Sequence, residues 1–592
     1  MELPCTLIQS VNDLRNKLKK RINIKFLDRL QASIQNLNFK DKVTFYAFAA
    51  LLILSTFLLL MGASRALTVE IPREGGKITE GVIGSPRFIN PLLAISDTDR
   101  DLTSLVYSGL MKATAEGALV NNLAESVEIL DGGLRYIFII KEDAVFHDGE
   151  SVDADDIVFT VEMAKNDLLK SPRRASWEGI DVEKIDNKTV MFSLNEPYSP
   201  FLENATIGIL PFHIWGELKV EEITFSDFNI EPIGSGPYEV KDIKKNSSGI
   251  PESYKLSAFG EHILGEPFIQ EIELKFYDSE GELIRAFNKR NVNNIHSISP
   301  ESTASLKGRG TTIITSPLPR VFGLFFNQNQ ATVFTNIEAR AALNAGINKE
   351  RIISEVLNEF GTSVDEPLPP GISIRRKVKI TEDSNLNPTE EAINILERNG
   401  WARGSDNIMI KKTKKEDYRL SFSISTSNAP ELKSVANILK EEWEKIGAEI
   451  ELRFFETGLL NQEVIRPREY DSLLFGEIVG RDFDLFAFWH SSQRNDPGLN
   501  IALYTNITAD SLLEGIRTTS TRREKEDLYI EFEREIENDI PAVFLYSPDF
   551  IYATNKKIKG LSVGIVTTPA ERFLHVDEWY LKTDRVWPFF TN

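Results

Sequence analysis

Cysteine is almost absent: Cys5 stands alone among 592 residues. A single thiol excludes an intrachain disulfide framework and any cysteine-based zinc site. Histidine is also scarce. His147, His213, His262, His296, His490 and His575 are scattered with no pair at metal-ligand spacing, so no metal site is expected. Positive charge is in deficit. A net charge of −20 argues against a nucleic-acid partner, which needs a basic face. No Ser/His/Asp order and no cofactor fingerprint stands above chance, so neither catalysis nor a bound cofactor is expected. His147-Asp148 is a histidine beside an acid, but adjacent residues in a turn rarely face each other. The 88 Asp and Glu supply many accidental carboxylate pairs, so such pairs carry no catalytic argument alone.

What is present is ordinary globular composition, 42% apolar and 26% charged, in a chain too long for one core. Charge is unevenly spread. Residues 1–42 hold nine Lys/Arg against four Asp/Glu, a surplus of +5 that leaves −25 on the rest. Residues 43–64, VTFYAFAALLILSTFLLLMGAS, form a charge-free run. As a helix this run spans about 33 Å, enough for a bilayer core. The basic leader, with Lys40 and Lys42 next to the run, predicts a cytoplasmic N-terminus and an exterior main domain. A cleaved signal peptide is the rival, with Ser64-Arg65-Ala66 as a poor cleavage site. No cysteine follows the run, so a lipoprotein anchor is excluded.

Past a tether at 65–75, residues 77–84 predict a strand and 85–91 a loop. Leu102, Leu105, Val106 and Leu110 predict a helix over 98–110. Tyr136, Phe138 and Ile140 alternate in a strand, and Asp153 with Asp156 marks a helix start. Further on, 337–360 reads as one long helix stopped by Gly361, and 388–399 as another stopped by Gly400. Strand 419–426, amphipathic helix 429–446 and strand 449–455 read as a crossover unit in a parallel sheet. Gly234-Ser235-Gly236-Pro237 has the wrong glycine spacing for a phosphate loop or a nucleophile elbow, and Pro237 removes an N–H.

The stretch 473–506, LLFGEIVGRDFDLFAFWHSSQRNDPGLNIALYTN, keeps neither strand nor helix period. It gathers Phe475, Phe483, Phe486, Phe488, Trp489 and Tyr504 around Glu477, Asp482, Asp484 and His490. Aromatic walls beside a few charged groups suit a ligand cleft. The plainer alternative is a buried irregular core segment with solvated acids.

With these pieces in hand, the chain resembles the family 5 extracytoplasmic solute-binding proteins, the peptide receptors of ABC importers. The matching segments run in the family's order: EGVIGSPRFINPLL (80–93), YSGLM (107–111), NNLAESVEILDGGLRYIFIIKEDAVFHDGESVDADDIVFT (121–160) and PIGSGPYEV (232–240). GLFFNQN (323–329), ARAALNAGINKERI (339–352), WHSSQ (489–493) and ENDIPAVFLYSP (537–548) continue it. The resemblance covers roughly residues 76–585 and implies an α/β, two-lobed, periplasmic-binding-protein-like fold of class II behind one transmembrane helix. Lobe I would comprise 76–320 and 546–585, with an extra subdomain at 115–205, and lobe II 321–545. The 232–240 segment then holds a structural turn.

The resemblance also implies a peptide held extended between the lobes, its backbone paired with strands. Delivery to permease subunits and their ATPases would follow. Glu80-Gly81-Val82 matches the strand that offers backbone to ligand. Gly476 matches the family's glycine, but Glu477 stands where tryptophan is common, and the ammonium-binding aspartate falls near Val479 or Gly480. Glu477, Asp482 and Asp484 are the local substitutes, with Glu477 or Asp484 favoured and Trp489 and Tyr504 as walls. His490 is a donor or a core histidine. Tyr546, Phe325 and Asn327 lie near the expected hinge and are read chiefly as structural. A tethered sensor or scaffold without a transport role is the alternative function, and an exterior hydrolase a more distant one.

Overall fold

The computed structural model describes residue 33 and residues 38–590, apart from 307–309, 371–386, 415, 482 and 520. Most of the basic leader therefore lies outside the described residues. Two compact units emerge, residues 1–72 with 583–592, and residues 73–582.

In the first unit, helix α1 (Phe39–Leu67) carries the charge-free run. Its segment Phe39–Gly62 is long and apolar enough to cross a membrane, and none of it is buried in protein. One residue later comes strand β1 (Val69–Arg73).

In the second unit, β2 (Lys77–Ile83) is a buried strand within the predicted 77–84. Helix α2 (Asp97–Val106) starts at Ser96, whose hydroxyl accepts the Asp99 N–H at 3.1 Å. It stops four residues before the predicted end because the 232–237 turn packs across it. The Gly236 N–H donates to the Val106 carbonyl at 2.8 Å. A Cβ on Gly234 would lie 2.1 Å from that same oxygen, so only glycine permits the approach. His147 ties the turn down: its N–H donates to Gly234 O at 2.8 Å and its Nε2 lies 3.0 Å from Gly236 O. Asp148 faces His213 instead, at 2.9 Å. The turn and the His-Asp neighbours are thus architecture.

An antiparallel four-stranded sheet follows, built of β3 (Ala124–Leu130), β4 (Arg135–Ile140), β5 (Ile180–Asp186) and β6 (Thr189–Leu194) in the order β3-β4-β6-β5. Helix α3 (Ala154–Lys165) lies between β4 and β5 in the chain. Its capping box is the one the sequence predicts: Asp153 accepts the Asp155 N–H at 2.9 Å, and the Asp153 N–H donates to Asp156 at 2.8 Å.

A twelve-stranded sheet organises the rest. Its first half uses β7 (Tyr238–Lys245), β8 (Pro251–Ala258), β9 (Glu271–Tyr277) and β10 (Asn294–His296), in the order β10-β2-β9-β8-β7. Strands β11 (Thr312–Pro317) and β12 (Arg320–Phe326) lead into the second half. There the predicted helix over 337–360 divides into α4 (Ile337–Ala345) and α5 (Lys349–Glu355). Asn348 caps the second piece, accepting the Arg351 N–H at 3.2 Å, and Gly361 opens a short strand rather than closing a helix. The apolar period runs through 337–360, but a capping side chain beside Gly346 restarts the helix.

Helix α6 (Pro388–Arg398) and the unit β13 (Ser421–Ser427), α7 (Pro430–Lys445), β14 (Glu449–Phe455) match their predicted positions closely. β13 and β14 pair in parallel, as a crossover requires. β15 (Ser472–Ile478) and β16 (Ala542–Thr554) complete the order β14-β13-β15-β12-β16.

β16 belongs to both halves. Its start pairs with β12, Phe325 opposite Ala542, and its end with β11 and β10, both placing Thr554 in register. The change of partner falls at Pro317-Leu318-Pro319 and Pro548, where Leu318 N–H meets Pro548 O at 3.1 Å. Proline has no N–H for a ladder, so the sheet must break register there. Separate apolar cores sit on either side, one around Leu105, Phe138 and Trp215, the other around Leu343, Leu439 and Trp443. This is the two-lobed α/β fold.

Replacing Gly234 with Ala should force the 232–237 turn off α2 and cost roughly 1–3 kcal/mol. A lowered urea midpoint of the full chain is expected. An unchanged midpoint would show that the contact tolerates a methyl group.

Candidate functional site

A cavity of about 520 Å³ lies between α2 and the loop after β15. One wall is α2 with the chain around Arg173, Tyr198 and Thr567–Asp577, and the other is the loop after β15, through Ile478, Gly480 and Arg481. Charge on these walls is arranged in two ways. Arg481 closes on Glu571 at 2.5 Å, and the Thr567 N–H donates to the same carboxylate at 2.6 Å. Lys112 lies 3.4 Å from Asp577. By contrast, among the described residues the guanidinium groups of Arg100 and Arg173 have no ion pair. The Arg100 Nε is buried without a hydrogen-bond partner. Burial, and then the Arg100 charge, lower the pKa of Arg173. Two like charges on one low-dielectric wall favour an anion bridging them. Trp177, the last residue of the short helix Arg174–Trp177, backs the same wall as a nearly buried ring.

The residues singled out from sequence lie elsewhere. Trp489 packs with Phe544 at 5.7 Å, and with Phe325 and Tyr504, each at 6.1 Å. All four are core side chains, so the aromatic walls expected of 473–506 are the interior of the second lobe. The buried core segment of the plainer alternative describes most of the stretch, though Glu477 and Asp484 are not solvated acids, and among the described residues of the stretch only Ile478, Gly480 and Arg481 reach the cavity. Tyr504 donates to Asp539 at 2.7 Å. Tyr546 stacks on Phe322 at 4.8 Å and donates to Glu431 at 2.7 Å. His490 lies flat on Phe486 at 4.0 Å with Nδ1 2.7 Å from Ser492, and is a core histidine. Gly476 leaves room for Phe322, whose ring a Cβ would meet at 2.7 Å. Asn327 is tied by Nδ2 to Arg468 O at 3.0 Å.

Neither favoured acid is set to hold an ammonium group. Asp484 accepts two bonds from Arg517, at 2.9 and 2.6 Å, which neutralise it. Glu477 is 2% exposed, and neither of its oxygens has a hydrogen-bond partner. Burial raises its pKa well above the carboxylate range; the indole of Trp489 opposes this but is not placed to close a hydrogen bond. Burial therefore favours the neutral form of Glu477. Asp482 lies outside the described residues.

On the first lobe, Glu80 accepts from Asn294 and from the Tyr552 hydroxyl, both at 2.6 Å. Val82 is in the core. The Glu80-Gly81 backbone is flanked by β9 on one side and β10 on the other, so it has no edge to offer a ligand there. Arg100, Arg173 and the Arg481–Glu571 pair were not legible as site residues. The only sequence signal is the doublet Arg173-Arg174 close to Trp177 in an acidic chain, which is weak.

Comparison with known proteins gives the wider setting. The family model for bacterial extracellular solute-binding proteins, family 5, matches residues 118–503. The oligopeptide-binding protein AppA of Bacillus subtilis is 27% identical over 555 residues, covering 92% of this chain and 99% of that protein. The dipeptide-binding protein of Escherichia coli is 22% identical over 525 residues, covering 84% and 94%. Among solved structures, AppA in complex with a nonapeptide superposes with a TM-score of 0.65, covering 86% of this chain and all of the other. NikZ from Campylobacter jejuni, in complex with Ni(L-His), gives 0.65 at 26% identity, covering 86% of this chain and 100% of the other.

The favoured neutral form of Glu477 predicts a pH effect. Below about 4.5 the carboxyl is protonated both folded and unfolded, and stability carries no penalty from it. As pH rises the unfolded chain releases the proton first, so stability falls until the raised folded value is passed. Glu477→Gln should remove that slope, so its advantage in urea midpoint over the parent should grow from mildly acidic to mildly alkaline pH. A constant difference would mean the buried carboxyl is ionised.

Proposed function

The chain belongs to the bacterial extracellular solute-binding proteins of family 5, and from that premise we propose a membrane-anchored receptor that captures peptides in the interlobe cavity for ABC-type import. The peptide- and dipeptide-binding relatives support the ligand class. The cavity volume lies in the range of pockets that bury a small ligand. The observation that carries the ligand's polarity is the pair Arg100 and Arg173. Guanidinium groups bind carboxylates with charge-assisted bonds, so a peptide's terminal carboxylate or an acidic side chain docks on this wall.

Lobe I is 76–320 with 546–585, including a subdomain over 115–205, and lobe II is 321–545. The partner change along β16 and the prolines on both crossings support this division. On it, Arg481–Glu571 is a contact across the cleft, and so is the Ser199 N–H to Arg517 O bond of 3.1 Å. Closure on ligand adds affinity to the state that makes these contacts. Helix α1 holds the N-terminus in the cytoplasm and the receptor outside, which keeps it at high local concentration near its permease. No covalent step is assigned to the cavity.

Native mass spectrometry of the full chain, purified in detergent without denaturation, should show a ladder of short peptides. A single metal chelate or other small anion in their place would overturn the peptide assignment. Arg100→Gln and Arg173→Gln should each weaken binding of an acidic peptide by about 10- to 100-fold, the worth of a charged hydrogen bond. Unchanged affinity in both variants would remove the anion wall. A peptide mixture incubated with the protein should remain uncleaved.

A further inference from the structure

We propose that the C-terminal aromatic tail is a second membrane contact, seated at the lipid headgroup–acyl boundary beside the end of α1. This rests on the reading of α1 as a membrane anchor. Only Thr68 separates α1 from β1, so β1 begins within about 4–7 Å of the helix end. β1 pairs with β17 (Lys582–Val586) in a two-stranded sheet of its own. Arg585 Nη2 lies 2.8 Å from Glu70 Oε1. Glu70 is the second residue of β1, and Arg585 is the next to last of β17. The chain therefore leaves the ribbon at the end where α1 enters it, and the next residues are Trp587-Pro588-Phe589-Phe590.

The chemistry of this tail differs from that of every other tryptophan-bearing segment. Trp177, Trp215, Trp401, Trp443, Trp489 and Trp579 are each at most 2% exposed, whereas Trp587 is 44% exposed and Phe589 72%. The two rings stack with centroids 5.9 Å apart. An indole has an apolar body and one N–H, and its favoured place outside a core is a membrane interface, with the N–H wet and the ring in hydrocarbon. The occupant follows from continuity with α1: the surface that meets the end of a spanning helix is the bilayer boundary. Helix and tail together give this unit two attachments to the bilayer.

The distribution of tryptophans supplies the test. Full-length protein is reconstituted into phosphatidylcholine–phosphatidylglycerol vesicles with and without lipid brominated at the upper acyl chain. Flotation of the vesicles reads insertion of α1 separately. Brominated lipid should quench part of the tryptophan emission, and Trp587→Phe should abolish that quenching while the buried six continue to emit. Phe589→Asp, which places a charge at the boundary, should reduce it. Co-flotation with equal quenching in the parent and in Trp587→Phe would overturn the tail contact and leave the anchor standing. Failure to float would overturn the anchor, and the tail contact with it.

Discussion

Both halves of the large sheet hang on one strand. Ala542–Thr554 spends its first residues pairing with Arg320–Phe326 and its last with Thr312–Pro317 and Asn294–His296. Each backbone group of a buried strand needs a partner, so the strand cannot move from one lobe to the other without breaking its ladder. It can bend only where the ladder is already interrupted. Pro317, Pro319 and Pro548 provide that interruption on the two adjoining crossings. At the second crossing Gly361–Ser363 remains paired with residues 546–548, so the strand keeps a ladder on one edge there. The cavity and its cross-cleft contacts depend on this arrangement.

Charge is handled differently on the two sides of the cavity wall. Behind it, Asp101, Glu80, Arg572 and His296 form a fully buried group. Burial alone would raise the Asp101 carboxyl, but the Arg572 guanidinium and His296 hold it down to about 2. Arg572 reaches both Asp101 oxygens at 2.7 Å. Such a group is tolerated because its charges oppose one another, although Glu80 Oε2 and Arg572 Nε have no hydrogen-bond partner, and deleting one member would strand the rest. On the cavity face, Arg100 is a neighbour of this group in sequence and belongs to the same helix as Asp101, yet forms no ion pair among the described residues. The cavity lining thus sets Arg100 and Arg173, which form no ion pair among the described residues, beside the acids Glu203, Glu571 and Asp577.

Glu477 and Trp489 show how an interior position can imitate a binding site. Both are buried, and both carry polar atoms without a hydrogen bond. In sequence an acid among aromatics reads as a cation pocket; in the fold, burial of the same acid favours its neutral form. Burial removes the property that made the residue attractive. Asp484 loses it by another route, through a two-point pair with Arg517, whose own guanidinium stacks on Phe486 at 3.8 Å.

Local patterns by themselves determined a good deal. The membrane-length run in Phe39–Leu67, the capping box at Asp153 and the strand-helix-strand run from Ser421 to Phe455 all depend on near neighbours, and each stands where its residues indicate. The ordered family segments extended this to the two-lobed fold. Only the tertiary structure decided which side chains face the cavity. Arg100 and Arg173 are 73 positions apart and meet on one wall through packing of separate elements. Trp489 and Tyr504 point inward because Phe325 and Phe544, from distant strands, close over them. Periodicity reports which residues share a face of one element, whereas a site is a surface assembled from many elements, and its membership is set by long-range contacts that no local pattern encodes.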